Sequence, residues 1–432
     1  MPDVAPVTIA AGMPGCYTAG PRDATVALTH KRPFGYACSI MQIALSKEQE
    51  SLRRHLREYF SGLVTPEYRA EMATSEGGGP LYHQVLKQIG KDGWLGIGWP
   101  KEYGGQGRTP IEQFIFFDEA MYAGVMVPTL TLNAVAPSIM QHASEEQKKT
   151  ILPKILRGEM HFAIGYTEPS AGTDLASLRT KAVRDGDNWV INGNKIYTSQ
   201  AEYADYIWLA ARTNTDVKKK HDGLSIFMVP TASSGYRCTP ITTMGGFRTN
   251  STYYEDVRVP ADHLIGPQDG GWWLIVTQLN HERVSLMTVG MVLRLWEDTV
   301  AWARETRIPG GHRVIDQGWV QANLARVKAG LEVLRLVNWK QAWCLTHSTL
   351  NYADASVVKV FGSEFYVTAY KLLLEVLGAA GSIRDGSPGA VLQGRCERLY
   401  RGHAPILTFG GGTNEVQREI ISMAGLGMPR AR

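Results

Sequence analysis

Tyr166-Thr167-Glu168-Pro169-Ser170-Ala171-Gly172-Thr173-Asp174 is the stretch on which the fold turns, because the hydrophobic period changes there. Before it, apolar residues recur at helical spacing; after it they recur at strand spacing. The stretch itself is polar, with hydroxyls at Tyr166 and Thr167, a Glu-Pro step, and Gly-Thr-Asp behind. A glycine followed by Thr and Asp offers backbone N–H groups and a short hydroxyl to something flat and acceptor-rich. The same residues also suit a plain Asx-type turn ahead of a strand. Taken alone, they leave both readings open.

On the N-terminal side, Ser46-Lys47-Glu48-Gln49 reads as a capping box, followed by Leu52, His55, Leu56 and Tyr59 at helix spacing. Gly77-Gly78-Gly79-Pro80 breaks that pattern before Leu81–Ile89. After the glycine- and aromatic-rich loop 94–105, helical pattern resumes through Ile111–Gly124 and Leu132–His142. Ser144-Glu145-Glu146-Gln147 caps a further helix ending near Gly158.

On the C-terminal side, Asn192-Gly193 lies between β-rich flanks and predicts a hairpin turn. Tyr206–Ala211, Leu224–Pro230 and Tyr253–Val259 read as strands. From Gly271 the period is helical again, over His281–Arg304, Val320–His347 and Ala353–Leu377. The expectation is an α+β multidomain protein. Residues 41–160 form an N-terminal helical domain, 161–270 a small central β-barrel or sheet domain, and 271–432 a C-terminal four-helix bundle. Residues 1–40 lack helical or strand period and read as a disordered extension, or as sequence upstream of a working start at Met41.

Bulk properties narrow the function. The chain has 432 residues, 44% hydrophobic and 20% charged, with a net charge of +4, which suits a globular protein of roughly three domains. Lys218-Lys219-Lys220 is the one lysine run, and beside His221-Asp222-Gly223 it reads as a solvated hairpin tip rather than a nucleic-acid patch. The five cysteines contain no Cys-x-x-Cys pair, which argues against a disulfide framework or a zinc site and fits a reducing, cytoplasmic setting. No apolar run reaches membrane-spanning length, and the first forty residues lack the basic start and compact apolar core expected of a secretory signal. Neither a metal, a nucleic acid nor a membrane is expected as a partner.

Five stretches in order give the chain a resemblance to the acyl-CoA dehydrogenase family of flavoproteins. They are Gly98-Trp99-Pro100-Lys101-Glu102-Tyr103-Gly104-Gly105, Tyr166–Asp174, Asn192-Gly193-Asn194-Lys195, Asp256-Val257-Arg258-Val259-Pro260, and Gly410-Gly411-Gly412-Thr413-Asn414-Glu415-Val416-Gln417-Arg418. The resemblance covers about Met41 to the C-terminus. It implies FAD-dependent α,β-dehydrogenation of an acyl-CoA thioester: a carboxylate takes the α-proton while the β-hydrogen leaves as hydride to the flavin. Tyr166 and Thr167 would face the flavin, and Gly172 and Thr173 would reach the cofactor, with Thr173 also meeting the pantetheine arm. Tyr197 and Ser199 stand where the family has Trp-x-Thr, keeping an aromatic wall and a hydroxyl.

The base departs from the common pattern. Matching Gly412-Thr413 to the family's Glu-Gly-Thr puts the usual base position on Gly411. Some members, among them those resembling isovaleryl- and long-chain-acyl-CoA dehydrogenases, carry the base on the first long helix of the bundle in a Leu-x-x-Glu-Arg motif. Leu279-Asn280-His281-Glu282-Arg283 matches it, so the resemblance implies Glu282 as base, with Asn280 and Arg283 near the CoA portion. Arg283 equally suits a structural ion pair, and a helix Glu is ordinarily a solvated surface residue. Gly411 would still supply its backbone N–H to the thioester oxygen, and the glycines ahead of a helix suit an anion. Thr413 and Glu415 would meet the diphosphate–adenosine portion of FAD, Glu415 standing where many members have Gln.

A second departure lies in Arg304-Glu305-Thr306-Arg307-Ile308-Pro309-Gly310-Gly311. Homotetrameric members use Arg-x-Gln-Phe-Gly there to hold a neighbouring subunit's flavin; here the Arg and Phe positions carry Thr306 and Pro309. The pattern resembles the base-bearing subunit of heterotetrameric dehydrogenases of bacterial steroid side-chain breakdown. That implies a homologous partner subunit, though a homotetramer with variant loops stays open, and it implies a bulky or branched acyl-CoA. An electron-transfer-flavoprotein-like acceptor is expected. The competing readings are a flavin oxidase or monooxygenase relative, and a DNA-binding alkylation-response relative, which would carry a basic C-terminal stripe. Glu297, Asp298, Arg304 and Glu305 are instead of mixed sign.

Overall fold

The computed structural model describes residues 44–75, 77–347 and 349–430, apart from the side chains of Thr74 and of 279–286. The extension expected over 1–40 lies outside the described residues, as do the side chains of Asn280, His281, Glu282 and Arg283.

Six helices come first: α1 (Lys47–Leu63), α2 (Pro66–Thr74), α3 (Pro80–Lys91), α4 (Pro110–Ala123), α5 (Ala136–His142) and α6 (Glu145–Leu156). Their starts are set locally. Ser46 Oγ accepts from Gln49 N and Gln49 Oε1 accepts from Ser46 N; Thr109 with Glu112 and Ser144 with Gln147 repeat the arrangement. Each such box satisfies donors that a helix start leaves unpaired.

Eight strands follow: β1 (Phe162–Gly165), β2 (Lys181–Asp185), β3 (Asn188–Lys195), β4 (Tyr206–Arg212), β5 (Leu224–Pro230), β6 (Tyr236–Thr242), β7 (Arg248–Pro260) and β8 (Leu264–Ile265). One leaf runs β6-β7-β3-β2; the other contains β1, β4, β5 and β8; the leaves join where Lys181 of β2 pairs with Arg212 of β4. Alternation along β4 serves two cores. Ile207, Leu209 and Ala211 face the core between the leaves, while Trp208 and Ala210 face the N-terminal helices. A strand covered on both faces must be apolar throughout, which Tyr206–Arg212 nearly is.

The bundle comprises α7 (Gly271–Leu286), α8 (Gly290–Glu305), α9 (Gly318–Thr346) and α10 (Tyr352–Leu377); α11 (Asn414–Ile420) packs against α10. The layout of helices, β domain and four-helix bundle is the one the hydrophobic periods predict. Two local expectations are corrected. The Asn192-Gly193 turn is instead an irregularity inside β3, where the β3–β7 register shifts between Ile191 and Gly193. The hairpin turn lies at Gly186 (φ 58°), between β2 and β3. Asn192 spends its amide on Asp256, giving Nδ2–H to Oδ1 and accepting Asp256 N–H, each at 2.9 Å. The turn chemistry is real, but it closes a bulge.

The long helix expected over His281–Arg304 is also broken, at Met287–Val289. The cause lies on α4: the half-buried Asp118 carboxylate accepts from Val289 N at 2.7 Å and Gly290 N at 2.8 Å. Asn338 Nδ2 donates to Met287 O at 2.8 Å, and Tyr366 Oη donates to Thr288 O. Gly290 permits the crossing, since a Cβ there would stand 2.1 Å from Asp118 O.

Candidate functional site

The opening stretch forms a wall on the β domain. Glu168 and Ala171 bond each other's backbone, making a tight turn. The Glu168 carboxylate is buried and accepts from three donors: Arg179 N (2.6 Å), Thr180 N (2.8 Å) and Lys195 Nζ (2.9 Å). Lys195, wholly buried, also donates to Tyr166 O at 3.0 Å. Burial works to raise the Glu168 pKa, but Lys195 and the Thr180 donor more than offset it and hold it below the ordinary carboxylate value. Burial pushes Lys195 down to about 8, against the pull of Glu168. This ion pair staples the end of β3 to the turn.

The staple brings sequence-distant residues together. Ile196 N donates to Thr167 O at 2.9 Å, so Thr167 and Tyr197 become neighbours. Tyr197 has φ 60° and is 64% exposed. An aromatic held in left-handed backbone and pointed at solvent is costly, and such strain collects at binding sites. Ser199 Oγ lies 3.4 Å from Thr249 Oγ1. Thr198 and Asn250 lock the segment through Thr198 N–H to Asn250 O (2.9 Å) and Asn250 Nδ2 to Thr198 O (3.1 Å).

The Tyr166 side chain turns inward. Its ring is buried and its hydroxyl donates to Gln278 Oε1, which also accepts from Trp208 Nε1 at 2.9 Å. The phenol is therefore a strut tying the β1 end to α7 rather than an open hydroxyl. Gln278 stands one helical turn before Glu282 on α7. Gly172 and Thr173 are exposed in the turn, and open space surrounds the position of a Gly172 Cβ. Asp174 is engaged with Lys220 (2.9 Å) and Ser177.

The second feature is the glycine loop ahead of α11. Gly411 (φ 69°) and Gly412 (φ 97°) take backbone conformations that glycine adopts readily. Among the described residues, no protein acceptor is bonded to the Gly411 N–H. Thr413 is the N-cap, accepting Val416 N at 3.3 Å, so part of its hydroxyl's capacity is already spent; Glu415 is exposed in the first turn. α11 has seven residues and runs on into a π-helical segment over Ile421–Gly425. No described hydrogen bond links this loop directly to the Thr167–Tyr197 wall. The β domain reaches the segment before it instead: a Cβ on Gly245 would stand 2.1 Å from Gly402 Cα.

Sequence reading missed the two buried lysines, Lys195 and Lys359, because lysine is ordinarily a surface residue. The loop following α8 is folded on itself, with Arg307 Nη1 donating to Gly311 O (2.6 Å) and Ile308 N to His312 O (2.9 Å). The donor set fits a flat, acceptor-rich anionic cofactor: an exposed aromatic ring, the Thr167 and Ser199 hydroxyls, and a free glycine N–H. No group of three His, Cys, Asp or Glu among the described residues could hold a metal ion, and no described helix is long and apolar enough to cross a membrane.

Family models for the acyl-CoA dehydrogenase N-terminal, middle and C-terminal domains match residues 46–159, 163–257 and 269–426. The chain is 52% identical over 399 residues to acyl-CoA dehydrogenase FadE26 of Mycobacterium tuberculosis, covering 90% of this chain and 100% of the relative. It is 47% identical over 393 residues to FadE29 of the same organism, covering 90% and 99%. Among solved structures, a chain of the ChsE4–ChsE5 complex from Mycobacterium tuberculosis matches with TM-score 0.85 and 53% identity, over 90% of this chain and 100% of that one. A chain of the Tcur3481–Tcur3483 steroid ACAD matches with TM-score 0.86 and 50% identity, over 90% and 100%.

Proposed function

On the premise that this chain belongs to the acyl-CoA dehydrogenase family, we propose that it desaturates a bulky, steroid-side-chain acyl-CoA with Glu282 as its base. The family supplies the reaction class; the substrate class rests on the 50% identity to a chain of the Tcur3481–Tcur3483 steroid ACAD. The single observation that carries the base assignment is a substitution of place. Gly411 has no side chain to remove a proton, and Glu282 lies on α7 one turn beyond the Gln278 anchor.

FAD would supply the hydride acceptor. The protein's part is to bind, orient and move one proton. Tyr197 gives an aromatic wall, Thr167 and Ser199 give hydroxyls at its edge, and Gly172 lets the backbone approach closely. Tyr166 supports that wall from behind through Gln278. Thr413 and Glu415 lie toward the diphosphate–adenosine end. Thr173, Asn280 and Arg283 serve the CoA arm. Glu282 takes the α-proton, and the Gly411 N–H meets the thioester oxygen as enolate charge develops.

The self-closed loop 306–313 and the likeness to a chain from a two-protein complex support a heterotetramer in which a homologous subunit completes the flavin site, with a flavoprotein acceptor taking the electrons. Glu282→Gln is the test of the base. It should keep its flavin yet lose turnover by about a thousandfold, within the span expected for a general base; undiminished turnover would sink the assignment. Purifying the chain alone tests the assembly, because stoichiometric flavin without a partner counts against it.

A further inference from the structure

We propose that Lys359 is a positioning residue for the reaction, holding the glycine loop so that the Gly411 N–H stays aimed at the thioester oxygen. The inference rests on the role given to Gly411 above. Lys359 is wholly buried on α10. Its ammonium donates to Thr408 O at 3.0 Å and to Asn414 Oδ1 at 2.7 Å. Those two residues are the two ends of the loop, and Asn414 N closes it by donating to Thr408 O at 2.9 Å. One cation therefore clamps both ends of the segment 409–413.

The clamp belongs to a stripe. Ser356, Lys359 and Ser363 recur at i, i+3 and i+7 on α10, all without solvent exposure. Ser363 Oγ bonds the Asn414 amide at 3.0 Å, and Ser356 Oγ donates to Gln417 Oε1 at 2.8 Å. Three polar side chains on the buried face of α10 thus converge on the loop and the start of α11. The loop needs such an external hold because its centre, Gly410-Gly411-Gly412, has no side chains to pack. Charge-assisted donors grip harder than neutral ones, and lysine's compact ammonium can serve two acceptors that a planar guanidinium fork cannot match. A donor displaced by about 1 Å loses about a hundredfold in rate.

The test uses the FAD-loaded full chain with its partner subunit, in Lys359→Met, Lys359→Arg and Asn414→Ala variants. The probe is a 3-thiaacyl-CoA carrying the steroid ring system. It can lose its α-proton but has no β-carbon hydrogen to transfer, so its enolate is read as a long-wavelength charge-transfer absorbance. Lys359→Met should lower kcat per bound flavin by about thirty- to a hundredfold with KM within about threefold. The pH midpoint of the charge-transfer band should rise by about one unit, a tenfold lower proton concentration. Lys359→Arg should recover part of both losses, and Asn414→Ala should lose about tenfold in kcat. If Lys359→Met does not fold, the other two variants decide by the same readouts. Unchanged kcat and band overturn the proposal, as does a rise in KM alone or a lowered melting temperature with normal kcat per flavin. A wild-type complex that binds the probe without forming the band overturns the Gly411 reading, and the Lys359 proposal with it.

Discussion

Two loops in this molecule are each held by a wholly buried lysine, and they are held differently. Lys195 pins the Tyr166–Ala171 turn through a carboxylate, Glu168, whose two oxygens also collect two backbone donors. Lys359 pins the glycine loop through neutral oxygens, the Thr408 carbonyl and the Asn414 amide. The first arrangement joins a β strand to a turn carrying its own side chains. The second holds three glycines that offer only backbone. A turn that presents side chains to a ligand can be anchored at one point, whereas a loop that presents an N–H must be fixed at both ends. The β-domain staple should therefore dominate fold stability, and the C-terminal clamp should dominate rate.

The largest stability effect expected is from Lys195→Met. Removing one partner of a buried ion pair strands the other, which costs about 3–5 kcal/mol, read as a lower denaturant midpoint with the β domain failing first. The pair also predicts a pH profile. Glu168 is held below its unfolded value of 4.5, so its stabilisation is present above that value and is lost as pH falls through the folded one. Lys195 is lowered from 10.5 to about 8, so between those values the unfolded chain binds the extra proton. Stability therefore gains from this group as pH rises through that window. Melting curves of the wild type should show the acid loss and the alkaline contribution, and Lys195→Met should lack the second.

Gly193→Ala should be next in size, since it attacks the same staple from the strand side. Its added Cβ would meet Thr180 Oγ1 at 2.5 Å and Thr180 Cα at 2.7 Å, from a φ of 150°. Thr180 N is one of the Glu168 donors, so the clash loosens the carboxylate cage. A loss of about 2 kcal/mol follows from overpacking, measured by chemical denaturation. An equally stable variant would mean that the register shift in β3 is tolerant and that the lysine alone holds the turn.

What could be read from the sequence followed the range of its causes. The capping boxes at Ser46 and Ser144 were legible because cap and partner are three residues apart. The fold class was legible from the change of hydrophobic period on either side of Tyr166–Asp174. The break at Met287–Val289 was not, because the groups that make it, Asp118, Asn338 and Tyr366, are brought there only by packing. Asn192-Gly193 misled for a related reason: turn residues also close bulges, and the pairing with Asp256 decides which. For the site, the residues proposed to face the flavin, and Gly411, came from motif resemblance. Lys359 left a usable signal, since Ser356, Lys359 and Ser363 form a polar stripe on the mainly apolar buried face of α10.

The smallest effect separates holding from presenting. Tyr197 sits beside the staple but does none of the holding: its ring is exposed and its backbone is left-handed. Tyr197→Gly should leave the ligand-free protein as stable as the wild type or more stable by about 1 kcal/mol, the strain that glycine relieves at such a φ. The same change removes the ring proposed to cover the flavin, so flavin content after purification should fall, and retained flavin should dissociate faster on dilution. The two readouts must move in opposite directions. If stability drops with flavin content, Tyr197 is part of the scaffold and the division between anchor and wall fails. If neither moves, the ring meets no ligand, and the left-handed backbone at this position is without a functional cause.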